Sequence, residues 1–403
     1  MSDTICVYPW MNLSIGSHGE FRPCCNAIGS ATIQENIKDK ENYDVSSLLK
    51  THNMSYLRNE MLQGNRPQLC SRCWHIEDAG NKSFRDFANS VYREEYERIV
   101  AEKSPEPIGI VKVEFDLDAK CNLKCRMCGP FSSSLIRKEV EENPEARQYY
   151  EASWSDTKWI DAVDITKVLS EHIHTIKQIY LIGGEPLIID ENLKLLQFLC
   201  ETGAAKNISL HYNTNGMNNP NDFIDYWKQF REVHLGLSID GYKSTFEYIR
   251  FPGKWTKIEK NLMHLKSIMD QHRNIHVTIS TTLQNLSLDT MVDLIRFFDD
   301  VGIYCSVIPV NSPDFLQPDV MPEDNYYLRL QELKDYSEIQ KENKALNRQS
   351  VEFIINYLES RTANLTNITM QQRFVAKQQL LDKIRKQNVF ETYPWAKKCL
   401  PES

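Results

Sequence analysis

Three cysteines crowd into eight residues. The stretch Asp118-Ala-Lys-Cys-Asn-Leu-Lys-Cys-Arg-Met-Cys-Gly129 spaces Cys121, Cys125 and Cys128 as C-x3-C-x2-C. Thiolates this close in sequence can share one centre only if the chain loops around it, and soft sulfur ligands suit iron–sulfur clusters. Three of them can hold three irons of a [4Fe–4S] cube. No fourth cysteine lies nearby, so one iron is left without a protein ligand. An open position on a metal is where chemistry happens, whereas a fully ligated site is structural or electron-carrying.

The rest of the chain has to present that loop. At 403 residues it is long enough for two or three domains. Residues 109 to 310 read as a repeated strand–helix alternation. Six β-branched or apolar runs are expected as strands: Val111 to Leu117, Ile179 to Ile182, Ile208 to Tyr212, Val233 to Ile239, Ile275 to Thr281 and Tyr304 to Val310. Stretches with helical apolar spacing lie between them, among them Leu193 to Cys200, Phe223 to Phe230, Ile258 to Met269 and Met291 to Phe298. Such alternation implies an α/β fold with a parallel sheet, curved into a partial (β/α)6 barrel. Active sites of these folds gather at the C-terminal ends of the strands. The cysteine loop, Gly183-Gly184-Glu185-Pro186, Thr214-Asn215-Gly216 and Ser238-Ile-Asp240-Gly241 each follow an expected strand end.

Three segments are expected: 1–105, a cysteine-bearing first domain; 106–315, the barrel; and 316–403, a helical C-terminal region rich in Gln, Glu, Lys and Leu. The charged, Pro-containing stretch Glu102 to Pro107 reads as the linker between the first two. Residues 131 to 177, with Trp154 and Trp159, read as a long insertion with two helices. Between Arg373 and Lys398 the tail carries seven basic and two acidic residues. A solvated helix face is the simpler reading of that excess, a docking surface for an acidic partner the other.

Composition sets limits on function. A net charge of −8 argues against general nucleic-acid binding. The start, Met1-Ser-Asp-Thr-Ile-Cys, lacks the basic and apolar regions of a secretory signal, and no apolar run approaches a membrane span; a cytoplasmic protein without membrane association is expected. Eleven cysteines in such a chain point to metal binding or catalysis before disulfides.

The cysteine loop with its strand-end motifs resembles the signature of the radical S-adenosylmethionine (radical SAM) enzymes. In that family the open iron binds the amino and carboxylate groups of S-adenosylmethionine, and one electron from the cluster cleaves the sulfonium to a 5′-deoxyadenosyl radical. The resemblance implies roles for particular residues. Met127, where the family usually has an aromatic residue, would pack near the adenine. Gly183, Gly184 and Glu185 would bind the methionine ammonium, glycines admitting the backbone and Glu185 accepting. Asn215, Ser238, Asp240 and Asn285 would surround the ribose and carboxylate, and Arg250 would pair with the carboxylate. An electron donor such as flavodoxin or ferredoxin is implied as a partner. Ordinary capping of loops by Asn, Asp and Ser is the competing reading of the polar residues.

Cys6, Cys24, Cys25, Cys70 and Cys73 form a second group. Cys6 to Cys24 reads C-x12-G-x4-C, and Cys70-Ser-Arg-Cys73 is a C-x2-C knuckle. This resembles the auxiliary-cluster module called SPASM, or its shorter form, twitch, which in the family usually follows the barrel and here precedes it. Cys6, Cys24, Cys70 and Cys73 would hold one auxiliary [4Fe–4S] cluster, with Cys25 or Cys399 as substitutes. A structural zinc is the competitor. The substrate implied by this class is a peptide, to be crosslinked, joined by a thioether or epimerised; a sugar, alcohol or amino acid dehydrogenated or rearranged is the alternative, and a non-catalytic redox sensor a remote one. Cys305, near the last strand, could donate a hydrogen atom to a substrate radical, or be a packed core residue.

Overall fold

The computed structural model describes residues 4–27, 35–39, 44–78, 80, 82–150, 159–365 and 367–400; Trp154 falls outside them. In chain order the described strands are β1 (Asn12–Ile15), β2 (Phe21–Arg22), β3 (Lys112–Asp116), β4 (Gln178–Ile182), β5 (Ser209–Thr214), β6 (Glu232–Ser238), β7 (Ile275–Leu283) and β8 (Cys305–Pro309). β3 to β8 are the six strands expected, with ends moved by one or two residues. Helices Asp190–Glu201, Asn221–Trp227, Trp255–Gln271 and Met291–Val301 follow β4, β5, β6 and β7 in turn. The chain is therefore α/β with parallel strands, and its C-terminal region is helical: Glu323–Asn343, Arg348–Arg361 and Ile368–Arg385. No helix among the described residues is long and apolar enough to cross a membrane.

The chain divides into two compact units. One holds Met1–Ala119, Ser155–Tyr212 and Phe223–Val233; the other holds Lys120–Trp154, Asn213–Asp222 and His234–Ser403. The division runs through the strand series, so neither unit coincides with a single one of the three sequence segments.

In the first unit β1 pairs antiparallel with β2 and parallel with β3, Leu13 lying opposite Val113 and Ile15 opposite Phe115. β3 pairs parallel with β4, and β4 with β5. Alternation buries Ile179 and Leu181 of β4 and Leu210 and Tyr212 of β5. The N-terminal segment thus adds its own strand beside β3. The expected linker is a pinned connection: Trp10 donates its indole N–H to the Ser104 carbonyl at 2.9 Å, and Ile108 N–H bonds to the Trp10 carbonyl at 3.0 Å. Arg58, fully buried, donates to the Pro105, Pro9 and Leu49 carbonyls.

In the second unit β7 lies between β6 and β8, with Ile279 opposite Cys305. A core that includes Leu283, Met291, Ile295, Phe315, Leu330, Ile354 and Phe374 gathers the C-terminal helices onto these strands. Helix Ile368–Arg385 turns Phe374, Lys377, Gln378, Leu381, Asp382 and Arg385 inward. Those positions recur every three or four residues, one face of a helix. The face grips the cysteine loop. Arg126, between Cys125 and Met127 and 0% exposed, donates to Gln378 Oε1 and Asp382 Oδ1 at 2.5 Å, to Gln387 Oε1 at 2.9 Å and to the Tyr248 carbonyl at 3.0 Å. Tyr248 lies under the guanidinium, centroid 3.5 Å away, and its hydroxyl donates to Asp382 at 3.1 Å. A second buried pair, Arg385 with Glu139 at 2.7 Å, ties the same helix to Ser134–Glu142. Of the seven basic residues in the tail, Arg373, Lys383, Lys386, Lys397 and Lys398 are exposed, as a solvated face requires, but Lys377 and Arg385 are buried.

Removing one partner of a buried ion pair strands the other charge and costs about 3–5 kcal/mol. Asp382→Ala is therefore expected to lower stability by about that much in urea unfolding, because it leaves Arg126 without a carboxylate. Asp324→Ala, which breaks the exposed pair with Lys398, is expected to change it by under about 1 kcal/mol. Equal effects would mean that Arg126 is not anchored through Asp382.

Candidate active site and metal centre

The cysteine loop hangs from the chain immediately after β3. Its backbone is clasped by the segment after helix Ser244–Ile249: Lys124 N–H bonds to the Phe251 carbonyl at 2.6 Å and Arg126 N–H to the Ile249 carbonyl at 2.9 Å. Two of the expected polar residues reach the sulfurs. Arg250 Nη1 lies 3.8 Å from Cys125 Sγ, and Asn215 Nδ2 lies 3.9 Å from Cys121 Sγ. N–H groups aimed at sulfur favour the thiolate form that binds metal and tune the centre it forms. A hydrogen bond from the Cys128 thiol, with Arg250 beside it, pulls Cys125 below the usual thiol range, and the same bond together with burial pushes Cys128 well above it.

The surrounding residues are built around Arg250. Its Nη2 pairs with Asp240 Oδ2 at 2.6 Å, both side chains buried, and Asp240 Oδ1 accepts from Thr282 N–H at 2.7 Å. Asn215 donates to Asn122 Oδ1 at 2.7 Å and accepts from Met217 N–H at 2.9 Å, which fixes the turn after β5. Ser238 ends β6. Asn285, fully buried, donates to the Phe315 carbonyl at 3.1 Å, while its own Oδ1 meets no partner among the described residues. Met127 packs against the large core. The structure thus brings Asn215, Asp240 and Arg250 into one network with the cysteines of the second unit. The residues fit a cluster ligated by three thiolates: three cysteines on one loop, with side-chain N–H donors on two of the sulfurs.

Cys305 is 0% exposed. Its thiol meets Thr281 Oγ1 at 3.3 Å, its N–H bonds to Asn347 Oδ1 at 2.6 Å, and its carbonyl accepts from Ser350 at 2.5 Å. Burial pushes the thiol up to about 12, so it stays protonated. These are the surroundings of a core residue. Cys399 is likewise buried, in the large core beside Tyr393 and Trp395.

The first unit holds two further features. After β4, Gly183 takes φ +116°, and Gly184 N–H bonds to the Asp118 carbonyl at 2.9 Å. Glu185 is fully buried, its Oε1 accepting from Leu187 N–H at 3.1 Å to cap the turn. A Cβ on Gly183 would lie 2.6 Å from Asp116 Oδ1 and 2.9 Å from the Asp118 carbonyl. Only glycine fits.

Cys6, Cys24, Cys70 and Cys73 line one cavity together with Tyr8 and Arg85. Gly19, at φ +85° in the β1–β2 turn and close against Trp159, precedes Cys24 in the chain. Cys70 and Cys73 sit where the chain enters helix Ser71–Asp78, and Asn26 Nδ2 donates to Cys73 Sγ at 3.6 Å. Burial raises the Cys6 and Cys24 thiols above their usual range and Cys70 to about 12. Metal binding would displace these protons. Cys25 faces elsewhere, its N–H bonded to Glu114 Oε2 at 2.9 Å and its sulfur 3.8 Å from Oε1, which leaves Cys24 as the cavity's cysteine. Among the described residues no three Cys, His, Asp or Glu side chains close around a single metal ion. Sequence reasoning missed Arg126, Lys377 and Asp382; nothing in the local pattern marks a residue whose partner lies some 250 positions away.

Gly183→Ala is expected to lower stability by about 1–3 kcal/mol through strain at this backbone angle, with the clash added. Unchanged thermal or urea unfolding would show that the turn is looser than described.

Residues 119–298 match the model of the Radical SAM superfamily. Among curated proteins, none matches the chain in sequence. Solved structures to which it is similar include anSMEcpe with bound AdoMet, 17% identical over 58% of this chain and 62% of that one at a TM-score of 0.41. Streptococcus suis SuiB bound to S-adenosylmethionine is 13% identical over 73% of this chain and 60% of that one, TM-score 0.41. The same SuiB bound to the precursor peptide SuiA is 13% identical over 78% and 66%, TM-score 0.39. The chain spans about six tenths of the length of the first two. The family match falls on the cysteine loop and the strand ends that follow it, so the likeness to the Radical SAM superfamily rests on residues 119–298.

Proposed function

We propose that the chain holds a [4Fe–4S] cluster on Cys121, Cys125 and Cys128, binds S-adenosylmethionine there, and uses the resulting radical chemistry to abstract a hydrogen atom from a peptide. The single observation that carries the site is the grouping of the three loop cysteines with the buried side chains of Arg250, Asp240 and Asn215. When bound, the cluster supplies the electron that cleaves the sulfonium. The chain's own residues do the rest. Arg250, charge-balanced by Asp240, offers a guanidinium for the methionine carboxylate beside the cysteines. Asn215, Ser238 and Asn285 supply polar contacts for the ribose, and Asn285 Oδ1, which has no partner among the described residues, is an acceptor for one of its hydroxyls. Met127 packs on the adenine. Gly183, Gly184 and Glu185, in the first unit, are the residues that the resemblance assigns to the ammonium.

Cys6, Cys24, Cys70 and Cys73 are proposed to hold an auxiliary [4Fe–4S] cluster, the cysteine-lined cavity being what supports it. Ligation by four cysteines suits electron transfer to or from a substrate radical. A peptide is favoured as substrate because radical SAM enzymes with auxiliary modules commonly modify peptides, an inference by analogy. Flavodoxin or ferredoxin is the proposed electron donor.

The test is anaerobic. Reconstituted protein with S-adenosylmethionine and dithionite is expected to release 5′-deoxyadenosine. The variant with Cys121, Cys125 and Cys128 all changed to Ala should release none, and its iron should fall from about eight per chain to about four. Iron falling to near zero, or zinc remaining in place of iron, would contradict the auxiliary assignment; 5′-deoxyadenosine from the triple variant would contradict the catalytic one.

A further inference from the structure

A buried cation needs an anion or carbonyls around it, because an ion taken out of water without a partner costs several kcal/mol. The described residues follow that rule. Arg85, Lys112, Arg126, Arg250 and Arg385 each meet a carboxylate, and Arg58 meets backbone carbonyls. Lys377 departs from it. It is 1% exposed, and its ammonium lies over the rings of Tyr150 and Phe315, 4.5 and 4.9 Å from their centroids. Among the described residues no carboxylate or carbonyl accepts from it. Two aromatic faces attract an ammonium but fall short of its desolvation.

The surroundings show where the missing anion belongs. Tyr150 and Cys128 pack on one apolar patch made by Ile136, Val140 and Ala146, so the ring under Lys377 and the third cysteine share a wall. Burial, then Arg385 and Arg126, pull Lys377 down to about 7, and the nearby group that opposes them is Cys128. A cysteine that ligates metal does so as thiolate, and a cluster on three thiolates spreads that charge over the whole unit.

Given the iron–sulfur reading of the cysteine loop, we propose that Lys377 is the counter-charge of that cluster, a positioning residue that holds an ammonium beside Cys128 and makes the cluster easier to reduce. Reduction adds one electron from the donor, dithionite in the tube, and so one negative charge to the cluster. A fixed cation in a dry site stabilises the reduced form more than the oxidised one and raises the potential. The C-terminal helix thereby sets the electronics of a site whose ligands lie some 250 residues earlier in the chain.

The experiment is an EPR-monitored redox titration of the reconstituted full chain, with the auxiliary signal taken from the Cys121, Cys125, Cys128 triple-alanine variant and subtracted. Lys377→Met and Lys377→Gln are expected to keep wild-type iron and sulfide and to shift the midpoint to more negative values, with Lys377→Arg staying at the wild-type midpoint. Loss of iron in both neutral variants with retention in Lys377→Arg would show the same need for charge at the level of assembly, and supports the proposal. A neutral variant fully loaded and titrating with the wild type overturns it, as does Lys377→Arg shifting as far as the neutral pair. If the wild type itself loads no iron on the three cysteines, the cluster reading fails and the counter-charge role of Lys377 falls with it.

Discussion

A guanidinium wedged between two prospective iron ligands holds the cysteine loop in shape. Arg126 is fully buried, spends its donors on Asp382, Gln378, Gln387 and the Tyr248 carbonyl, and rests on the Tyr248 ring. A loop of eight residues has little internal structure to keep three thiols pointed at one centre, so its shape has to come from outside. Here it comes from helix Ile368–Arg385 and from the backbone clasp at Ile249 and Phe251. The clasp leads straight into Arg250, which serves Asp240 and Cys125 at once. Scaffold and chemistry are therefore continuous: the segment that braces the loop also delivers the cation facing it.

Charge balance links the parts. Within the second unit Arg250 is balanced by Asp240, and Glu139 is shared by Arg385 and Lys124. Against them stand three cysteines, which ligate metal as thiolates, and one ammonium, on Lys377, with rings for company. The proposed cluster is anionic and the proposed cosubstrate carries both charges, and paired cations around the loop leave the remaining field for those groups.

What could be read from the sequence was what is local. The strands between 109 and 310 emerged because runs such as Val233 to Ile239 alternate buried and half-buried positions, and the motifs after them are written in glycine, Asn and Asp. The four cavity cysteines could be chosen by spacing, but Cys24 over Cys25 could not, since Glu114, on β3, decides it. The pairing of β1 with β3 was hidden because a four-residue strand carries too short a pattern. The docked tail was hidden for a different reason. Its inward face includes Lys377, Gln378, Asp382 and Arg385, polar residues that read as solvated until their partners Arg126 and Glu139 are known.

The central claim is that Cys121, Cys125 and Cys128 hold a cube with one open corner that binds S-adenosylmethionine. Its most direct test is EPR of the reduced cluster with and without S-adenosylmethionine labelled with 17O in its carboxylate. The account predicts a shifted spectrum and a resolved coupling to the label. A spectrum indifferent to the added cosubstrate, in protein that carries its full iron, would contradict it.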